Sequence, residues 1–493
     1  MIFLCFLKKL IFNLIIYVYL LTILILINNS DMNNDQYKGL ETDVNDPNIS
    51  PNKIVEKDDM INDIITKNDI NIENKKETIN TEIRVLKSHQ ELSGILDIYM
   101  THEHASGSVF FKPNGTKIWR ALEDYLRAEY KKRGFEEVMT PRLVNSQLYV
   151  TSGHIPMYQQ NMFKVIVDSD ETENSTYYMP SMNCPSHCLM FKNLQVSYKS
   201  LPVKMADFGC LHRNECSGSI RGLNRLRKFS QDDAHIFCRH DQIFEQIKEC
   251  LDFLDHVYKL FGFKYEVTVS TKPEKYMGEL DLWIEAETAL QDALRSMNIG
   301  FTINDKDGAF YGPKIDIMVK DSADRKVQCG TIQLDFQLPL RFNLEYTDND
   351  GKQSTPVMIH RAILGSVERM MSILIEHYQG QLPLWLSPRQ VAIIPVANKP
   401  HFKEYCNKVK SKITENFDKL DSVHIFDSNE MFNSRIREAE VKLYNYILII
   451  GAKEIDSDTA TFRVINHTHN DKKFCGVDDV CDIIKNSYYD VTC

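Results

Sequence analysis

Short strand-like runs, separated by turns rich in glycine and proline, fill most of the chain between residues 177 and 346. Runs such as "KYEVTVS", "KIDIMVK" and "TIQLDFQL" combine β-branched residues with an alternation of apolar and polar side chains, which is the pattern of β-strands. Such a density of strands, with a few helices, favours an antiparallel sheet over a parallel one. The pattern predicts an α+β domain with an antiparallel sheet.

One of these runs places polar side chains at a regular spacing. In the strand "FSQDDAHIFC", residues 229–238, side chains alternate between two faces, so Gln231, Asp233 and His235 share one face. Asp232 lies on the other face, among apolar residues. Since carboxylates are rarely buried without a partner, we expect a polar site on the first face and a structural hydrogen-bonding role for Asp232.

Helical and mixed patterns flank this region. "TKIWRALEDYLRAEYKKRG" predicts a helix over 116–134, and "RAILGSVERMMSILIEHYQG" predicts a helix over 361–380. After the linker-like "LPLWLSPRQ", strand and helix patterns alternate towards the C-terminus, which indicates a small α/β domain. We therefore expect one domain over 89–385 and a second over 390–493.

Charge and cysteine content limit the possible functions. The 493 residues carry a formal net charge of −10, so contact with nucleic acid must depend on a local basic surface. Twelve cysteines are scattered along the chain without a CxxC pair. This distribution does not fit a disulfide scaffold and indicates mostly buried thiols in a reducing compartment, with one or two left as metal ligands.

The N-terminal region differs from the rest. Residues 1–28 hold a long apolar run behind two lysines, which predicts a signal peptide or a membrane anchor, and any membrane contact would be made there. Residues 29–88 predict a disordered, transit-like linker, although 31–90 holds 13 acidic and 8 basic residues, more acid than a usual transit peptide. A leader followed by such a stretch resembles the bipartite targeting sequence of proteins imported into a secondary plastid. Location in a mitochondrion and anchoring in a membrane are the alternatives.

Two groups of residues could carry chemistry. The segment 208–233 interleaves arginines with glycines, and arginine forks suit phosphate oxygens, although a solvated basic loop would have the same composition. Cys184, His235 and His360 could form a catalytic metal site of three ligands. Spacing alone leaves this open, because Cys184 also pairs locally with Cys188 and isolated histidines are often structural.

Three ordered motifs resemble those of the class II aminoacyl-tRNA synthetases: "RGFEEVMTPRLV" resembles motif 1, "HRNE" motif 2 and "LGSVERM" motif 3. The stretches "MNCPSH", "QDDAHIF", "AFYGPKID", "CGTIQLDF" and "PVMIHRAILGS" resemble those of the threonyl-tRNA synthetases in particular. The resemblance implies the class II antiparallel sheet flanked by helices, followed by an α/β anticodon-binding domain. It also implies a homodimer formed through motif 1.

The resemblance implies one zinc ion per chain, held by Cys184, His235 and His360, with an open position for the amino and hydroxyl groups of threonine. An apolar pocket would separate threonine poorly from valine, which has nearly the same shape, whereas zinc requires a ligand that valine lacks. The threonine-binding residues implied by the resemblance are Met182, Gln231, Asp233, Tyr311 and Gln333.

The implied reaction has two steps: the threonine carboxylate attacks the α-phosphate of ATP–Mg²⁺, and the threonyl group then passes to the 3′ end of tRNA(Thr). Arg213 and Arg369 are the implied catalytic arginines, and His154 matches a histidine suggested as the base of the transfer step. The implied ATP-binding residues are Arg213, Glu215, Arg225, Phe229, Gln328, Thr331, Ser366 and Arg369. The implied anticodon-binding residues are Asn429, Arg437, Glu454 and Arg463.

Some features depart from the family pattern. Ser186 replaces a usual glycine and Cys216 a usual proline, but every implied metal ligand and motif arginine is present. The N-terminal stretch reads as leader and linker, so we expect no editing of mischarged serine by this chain. The alternatives are a non-catalytic, synthetase-like tRNA-binding protein, a class II ligase for proline or serine, and a membrane-anchored binding protein.

Overall fold

The computed structural model describes residues 86–166, 176–320, 325–417, 419–464 and 472–488. The predicted leader at 1–28 and nearly all of the predicted linker at 29–88 lie outside these residues. Within the described part of the chain, no helix combines the length and the apolar character needed to cross a bilayer.

The strands, in chain order, are β1 (Tyr99–Met100), β2 (Phe110–Phe111), β3 (Glu136–Glu137), β4 (Val144–Asn145), β5 (Lys164–Ile166), β6 (Thr176–Tyr178), β7 (Val203–Asp207), β8 (Cys210–His212), β9 (Lys228–Cys238), β10 (Tyr265–Ser270), β11 (Phe301–Asn304), β12 (Lys314–Lys320), β13 (Lys326–Asp335), β14 (Tyr346–Thr347), β15 (Gln353–Ser354), β16 (Val357–Ser366), β17 (Val391–Pro395), β18 (Val423–Ile425), β19 (Tyr446–Ile450), β20 (Thr459–Val464) and β21 (Lys472–Gly476).

The helices are α1 (His89–Leu96), α2 (Pro113–Lys132), α3 (Ser146–Thr151), α4 (His154–Met157), α5 (Cys184–Lys192), α6 (Ile243–Leu260), α7 (Leu280–Ser296), α8 (Gln337–Arg341), α9 (Val367–His377), α10 (Pro400–Asn416), α11 (Phe432–Val441), α12 (Ala452–Ser457) and α13 (Val477–Asn486). Helix α2 confirms the helix predicted over 116–134. Pro113 starts it, where a missing N–H costs nothing, and Ile118, Leu122 and Leu126 are buried along one face.

Nine strands of the described residues form the central sheet, in the order β11-β10-β12-β13-β16-β9-β7-β3, with β8 paired to β9. Every pair is antiparallel except β10–β11 and β3–β7. Helices α6 and α9 pack against this sheet and share its apolar core. The predicted α+β fold on an antiparallel sheet is confirmed.

The prediction of a helix over 361–380 is wrong at its N-terminal end. The residues from Arg361 to Ser366 continue β16, and only Val367–His377 is helical. Arg361 lies opposite Ile332 of β13, so sheet pairing overrides the helical spacing of the apolar residues. The helix starts after Ser366, whose side chain accepts a hydrogen bond from the backbone N–H of Arg369 at 3.1 Å and so caps it.

A second sheet lies in the C-terminal part. Five described strands run in the order β18-β17-β19-β20-β21, with parallel pairs at β17–β18 and β17–β19 and antiparallel pairs elsewhere. Helices α10, α11 and α13 flank them, which confirms the predicted small α/β domain. The predicted domain limits 89–385 and 390–493 remain predictions.

Candidate active site

The register of the central sheet brings the polar face of β9 to a cavity of about 390 Å³. His235 of β9 lies opposite His360 of β16, and Gln333 of β13 lies opposite His360 on the other side. Asp233 lies opposite Asp207 of β7. Because directly opposed side chains share one face of a sheet, strands distant in sequence place their polar groups side by side.

Every residue implied to bind ATP, threonine or the metal ion lines this cavity. The structure brings together Met182, Cys184, Arg213, Glu215, Arg225, Phe229, Gln231, Asp233, His235, Tyr311, Gln328, Thr331, Gln333, His360, Ser366 and Arg369. The lining also includes Tyr158, Asn224, Asp307 and Lys314, which the sequence reasoning missed. Nothing in the quoted motifs singles out Asn224 or Tyr158, whereas Lys314 stands inside "AFYGPKID" and could have been named.

Among the implied catalytic residues, His154 is the exception, because it lies behind the cavity wall. It is fully buried, and its Nε2 is 3.2 Å from the sulfur of Met182. Burial lowers the pKa of His154 to about 3, and the nearby His360 and Arg213 add to this effect. The imidazole is therefore neutral at physiological pH and separated from the cavity by Met182.

Cys184, His235 and His360 form a compact set of buried donors, with the three ligand atoms within 4.8 Å of one another. His235 Nε2 lies 3.0 Å from His360 Nδ1. One thiol and two imidazoles, with room for a fourth ligand from a substrate, fit the donor set of a catalytic zinc site. Cys188 belongs to no such group of three among the described residues, so the geometry favours the set of Cys184, His235 and His360 over the local pair of Cys184 and Cys188.

The chemistry of these donors also suits a metal ion. Burial lowers the pKa of His235 well below its usual value, which keeps the imidazole neutral, as a ligand must be. Burial raises the pKa of the Cys184 thiol, and the nearby Asp233 raises it further. A buried thiol of this kind needs a cation to become a thiolate, so the residues present fit a bound zinc ion.

Beyond the donors, each histidine is oriented by a second contact. His360 Nε2 lies 2.9 Å from Asp335 Oδ2, which leaves His360 Nδ1 free to face His235. On its far side, His235 Nδ1 lies 2.6 Å from His187 Nδ1. Such partners commonly fix the tautomer and ring orientation of metal-binding histidines.

A polar pocket adjoins the three donors. Asp233 Oδ1 lies 3.8 Å from His235 Nε2, and Tyr311 donates to Gln333 Oε1 at 2.6 Å while its ring stacks on His360. Burial raises the pKa of the Asp233 carboxyl to about 7, and the hydrogen bond from Asn183 partly offsets this. A carboxylate in such a place favours a cationic or hydrogen-bond-donating ligand.

The other half of the cavity is basic. Arg213 lies over the ring of Phe229 at 5.0 Å, and Arg369 donates to the backbone oxygens of Asn224 and Gln328, each at 3.0 Å. Burial lowers the pKa of Arg369, and the charges of Arg213 and Arg225 lower it further. An anion among these three guanidinium groups would relieve their repulsion.

Glu215 and Arg225 form an ion pair at the cavity edge, with Arg225 Nη2 and Glu215 Oε2 2.9 Å apart. Gln328 and Thr331 both donate to Asp316 Oδ1, at 2.5 and 3.2 Å. The implied nucleotide-binding side chains are thus held in position by neighbouring groups of the protein.

Asp232 lies under the opposite face of β9 and is fully buried. Its carboxylate accepts hydrogen bonds from the backbone N–H groups of Ile363 and Leu364 at 2.7 and 2.8 Å, and it pairs with Arg361 at 3.2 Å. The predicted structural role of Asp232 is confirmed.

The implied anticodon-binding residues lie in the C-terminal domain. Arg463 of β20 pairs with Glu440 at 2.6 Å, and Arg437 of α11 lies 3.7 Å from the same carboxylate. Glu454 accepts from Thr461 Oγ1 at 2.7 Å and from the backbone N–H of Gly451, whereas Asn429 contacts Asn398. Their role in binding RNA stays a prediction.

Comparison with known proteins agrees with this geometry. The class II core domain of tRNA synthetases for G, H, P, S and T matches residues 163–378, and the anticodon-binding domain family matches residues 390–487. The chain is 47% identical to threonine–tRNA ligase 1, cytoplasmic, of Homo sapiens over 388 residues. The aligned region covers 78% of this chain and 52% of the human protein. It is 44% identical to threonine–tRNA ligase, mitochondrial 1, of Arabidopsis thaliana over 398 residues, which span 80% of this chain and 54% of that relative.

A solved structure is also similar. The RNA-binding domain of threonyl-tRNA synthetase from Cryptosporidium parvum superimposes with a TM-score of 0.77 at 41% identity, over 82% of this chain and 99% of that one. The fold is that of a class II aminoacyl-tRNA synthetase, and the chain belongs to the threonyl-tRNA synthetase family. It spans about half the length of the curated relatives it matches.

Proposed function

We propose that this chain is a threonine–tRNA ligase, which activates threonine with ATP and passes the threonyl group to tRNA(Thr). The observation that carries the proposal is the division of one cavity into two halves. Cys184, His235 and His360 lie beside Asp233 in one half, and three arginines gather in the other. The first half suits an amino acid with a hydroxyl group and the second a nucleotide polyphosphate.

In the proposed mechanism, the protein acts mainly by positioning and by neutralising charge. Arg213 lines the basic half of the same cavity, where its guanidinium can bind both the threonine carboxylate and the α-phosphate as they react. Arg225 balances the charge of the γ-phosphate, together with Mg²⁺ bound to ATP, and Arg369 would lie against the adenine ring. Phe229 offers an aromatic face to the adenine ring, and Glu215 can accept a hydrogen bond from its amino group.

Amino-acid selection is the second part of the proposal. A zinc ion held by Cys184, His235 and His360 would supply a Lewis acid that accepts the amino and hydroxyl groups of the substrate. Asp233 accepts hydrogen bonds from the same two groups, so a substrate without the hydroxyl leaves polar groups unpaired. Rejection of such analogues can reach about 10⁴-fold or more.

The exchange of pyrophosphate into ATP tests this function. We expect exchange with threonine, none above background with valine, and a weaker signal with serine, which also carries an amino and a hydroxyl group. A zinc-selective chelator, added with Mg²⁺ in excess, should abolish the threonine signal, and added zinc should restore it. If threonine gave no exchange, the non-catalytic tRNA-binding alternative would be favoured, and if chelation changed nothing, zinc-assisted selection would be rejected.

The remaining partners and properties follow from the same proposal. The C-terminal domain would bind tRNA(Thr), and a second copy of the chain would bind at motif 1, where Met139 and Leu143 are 84% and 46% exposed. The lack of editing of mischarged serine stays a prediction. An organellar location rests on residues 1–28 and stays a prediction.

A further inference from the structure

Asn183 is a buried amide directly behind the candidate threonine pocket, with 1% of its surface exposed. Its Nδ2 donates to Asp233 Oδ2 at 3.1 Å. Because a carboxylate accepts hydrogen bonds, the amide nitrogen must face Asp233 and the amide oxygen must face away. The orientation of Asn183 is therefore fixed by its neighbour.

The side chain of Asn183 does not cap the helix that follows it. Asn183 occupies the N-cap position of α5, yet its side chain makes no capping hydrogen bond, although asparagine is among the best residues for that purpose. Gly209 makes room for the amide on the other side, since a Cβ there would lie 2.2 Å from Asn183 Nδ2. The local structure thus directs this amide towards Asp233 at the expense of a helix cap.

The amide also contacts the motif 1 segment. Asn183 Oδ1 lies 3.4 Å from Thr140 Oγ1, and Thr140 Oγ1 donates to Asp207 Oδ2 at 2.7 Å. Asp207 in turn lies opposite Asp233 in the sheet. Thr140 follows Met139, which is 84% exposed, so Asn183 contacts the motif 1 segment next to a residue at the molecular surface.

We propose that Asn183 is a positioning residue that fixes the Asp233 carboxylate for the amino and hydroxyl groups of the substrate, and that Thr140 ties this contact to motif 1. The inference rests on the proposed function and goes beyond it by assigning these two residues. Asp233 lies directly opposite Asp207 in the sheet, and two carboxylates placed in this way repel each other. The donated hydrogen bond holds the Asp233 carboxylate in one orientation before the substrate arrives, which reduces the cost of binding.

Substitution of Asn183 by alanine tests the first part. In the full chain, Asn183→Ala should raise KM for threonine about tenfold to hundredfold, the usual cost of losing a hydrogen bond to a charged group. The KM for ATP and the bound zinc per chain should stay unchanged. Gly209→Ala keeps the amide but displaces it, so it should shift KM for threonine in the same direction.

Two further variants complete the design. Thr140→Val should raise KM for threonine by a smaller factor, and Thr140→Ser, which keeps the hydroxyl, should restore it. Asn114→Ala serves as the matched control, because Asn114 also donates one hydrogen bond, to the backbone oxygen of Leu96 at 2.8 Å, but does not line the cavity. The KM of the Asn114→Ala variant for threonine should equal that of the parent chain.

The outcomes separate this inference from the proposed function. If the parent chain exchanges with threonine and both Asn183→Ala and Gly209→Ala leave its KM unchanged, the positioning role is overturned alone. Equal increases of KM for threonine and ATP, or loss of zinc, would indicate general damage and also overturn it. If the parent chain shows no exchange, calorimetric threonine binding by the same variants decides the positioning role, and absence of binding overturns both proposals.

Discussion

His187 and Cys188 are neighbours in α5, but their surroundings differ. His187 Nδ1 lies 2.6 Å from His235 Nδ1, and its own Nε2 is buried with no hydrogen-bond partner among the described residues. If His235 donates its Nδ1–H to His187, the His235 Nε2 is left unprotonated and faces the other donors. Cys188 contacts the sulfur of Met358 at 3.8 Å and lies in an apolar cluster.

This contrast predicts different effects on metal affinity. His187→Ala should weaken zinc binding about 10- to 100-fold, the typical effect of losing the group that orients a metal-binding histidine. Cys188→Ala should leave zinc affinity unchanged, whereas Cys184→Ala should abolish it. Competition with a zinc-binding dye measures all three, and a loss of zinc in Cys188→Ala would instead support the local pair Cys184 and Cys188.

At the level of elements, the junction between β16 and α9 decides the shape of the site. The pairing of β16 with β9 shifts between Ala362 and Ser366, so the backbone of the intervening residues cannot bond to β9 in the regular way. The carboxylate of Asp232 accepts hydrogen bonds from the backbone N–H groups of Ile363 and Leu364 in place of β9. Gly365 then turns the chain with a φ of +74°, a value that glycine adopts without strain.

Loss of the Asp232 carboxylate should therefore destabilise the fold strongly. Asp232→Ala leaves two backbone donors and the buried guanidinium of Arg361 without this partner, and breaking a buried ion pair typically costs about 3–5 kcal/mol. Denaturant unfolding measures the loss in free energy of unfolding.

Asp292→Ala is the control for this variant. Asp292 pairs with Arg295 at 2.8 Å, but both side chains are about 60% exposed, so we expect a loss below about 1 kcal/mol. Similar losses in the two variants would show that the buried network contributes little.

For the whole molecule, the motif 1 segment leaves apolar surface uncovered. Strand β3 lies at one edge of the central sheet, and Met139, just after it, is 84% exposed. An exposed edge and a neighbouring apolar patch favour association with another chain. The proposed homodimer would cover both.

A charge at this surface should disrupt the proposed dimer. Met139→Arg would place an unpaired cation in an apolar interface, and we expect the dissociation constant to rise about a hundredfold or more, since burying an unpaired charge costs several kcal/mol. Met431→Arg is the matched control, because Met431 is 82% exposed but belongs to the C-terminal domain. Sedimentation velocity measures both, and a parent chain that stays monomeric at micromolar concentration would contradict the homodimer.

The sequence allowed much of the site to be predicted, and the reason lies in particular strands. Alternation in β9 separated Asp233 and His235 from Asp232 without any knowledge of neighbours, since strand periodicity is a local property. The same approach failed at Arg361–Ser366, where apolar residues at helical spacing lie in a strand. Periodicity cannot distinguish a buried strand from a buried helix when both faces are covered.

The sequence by itself determined the class of fold, the family motifs and the chemical types of the donors, because these depend on residue order and local pattern. Only the tertiary structure decided that His235 and His360 oppose each other, that His154 lies behind Met182, and that Asn183 contacts both Asp233 and Thr140. These relations depend on strand register and on packing between segments distant in the chain. Register is fixed by the burial of whole faces, a property that no single segment carries.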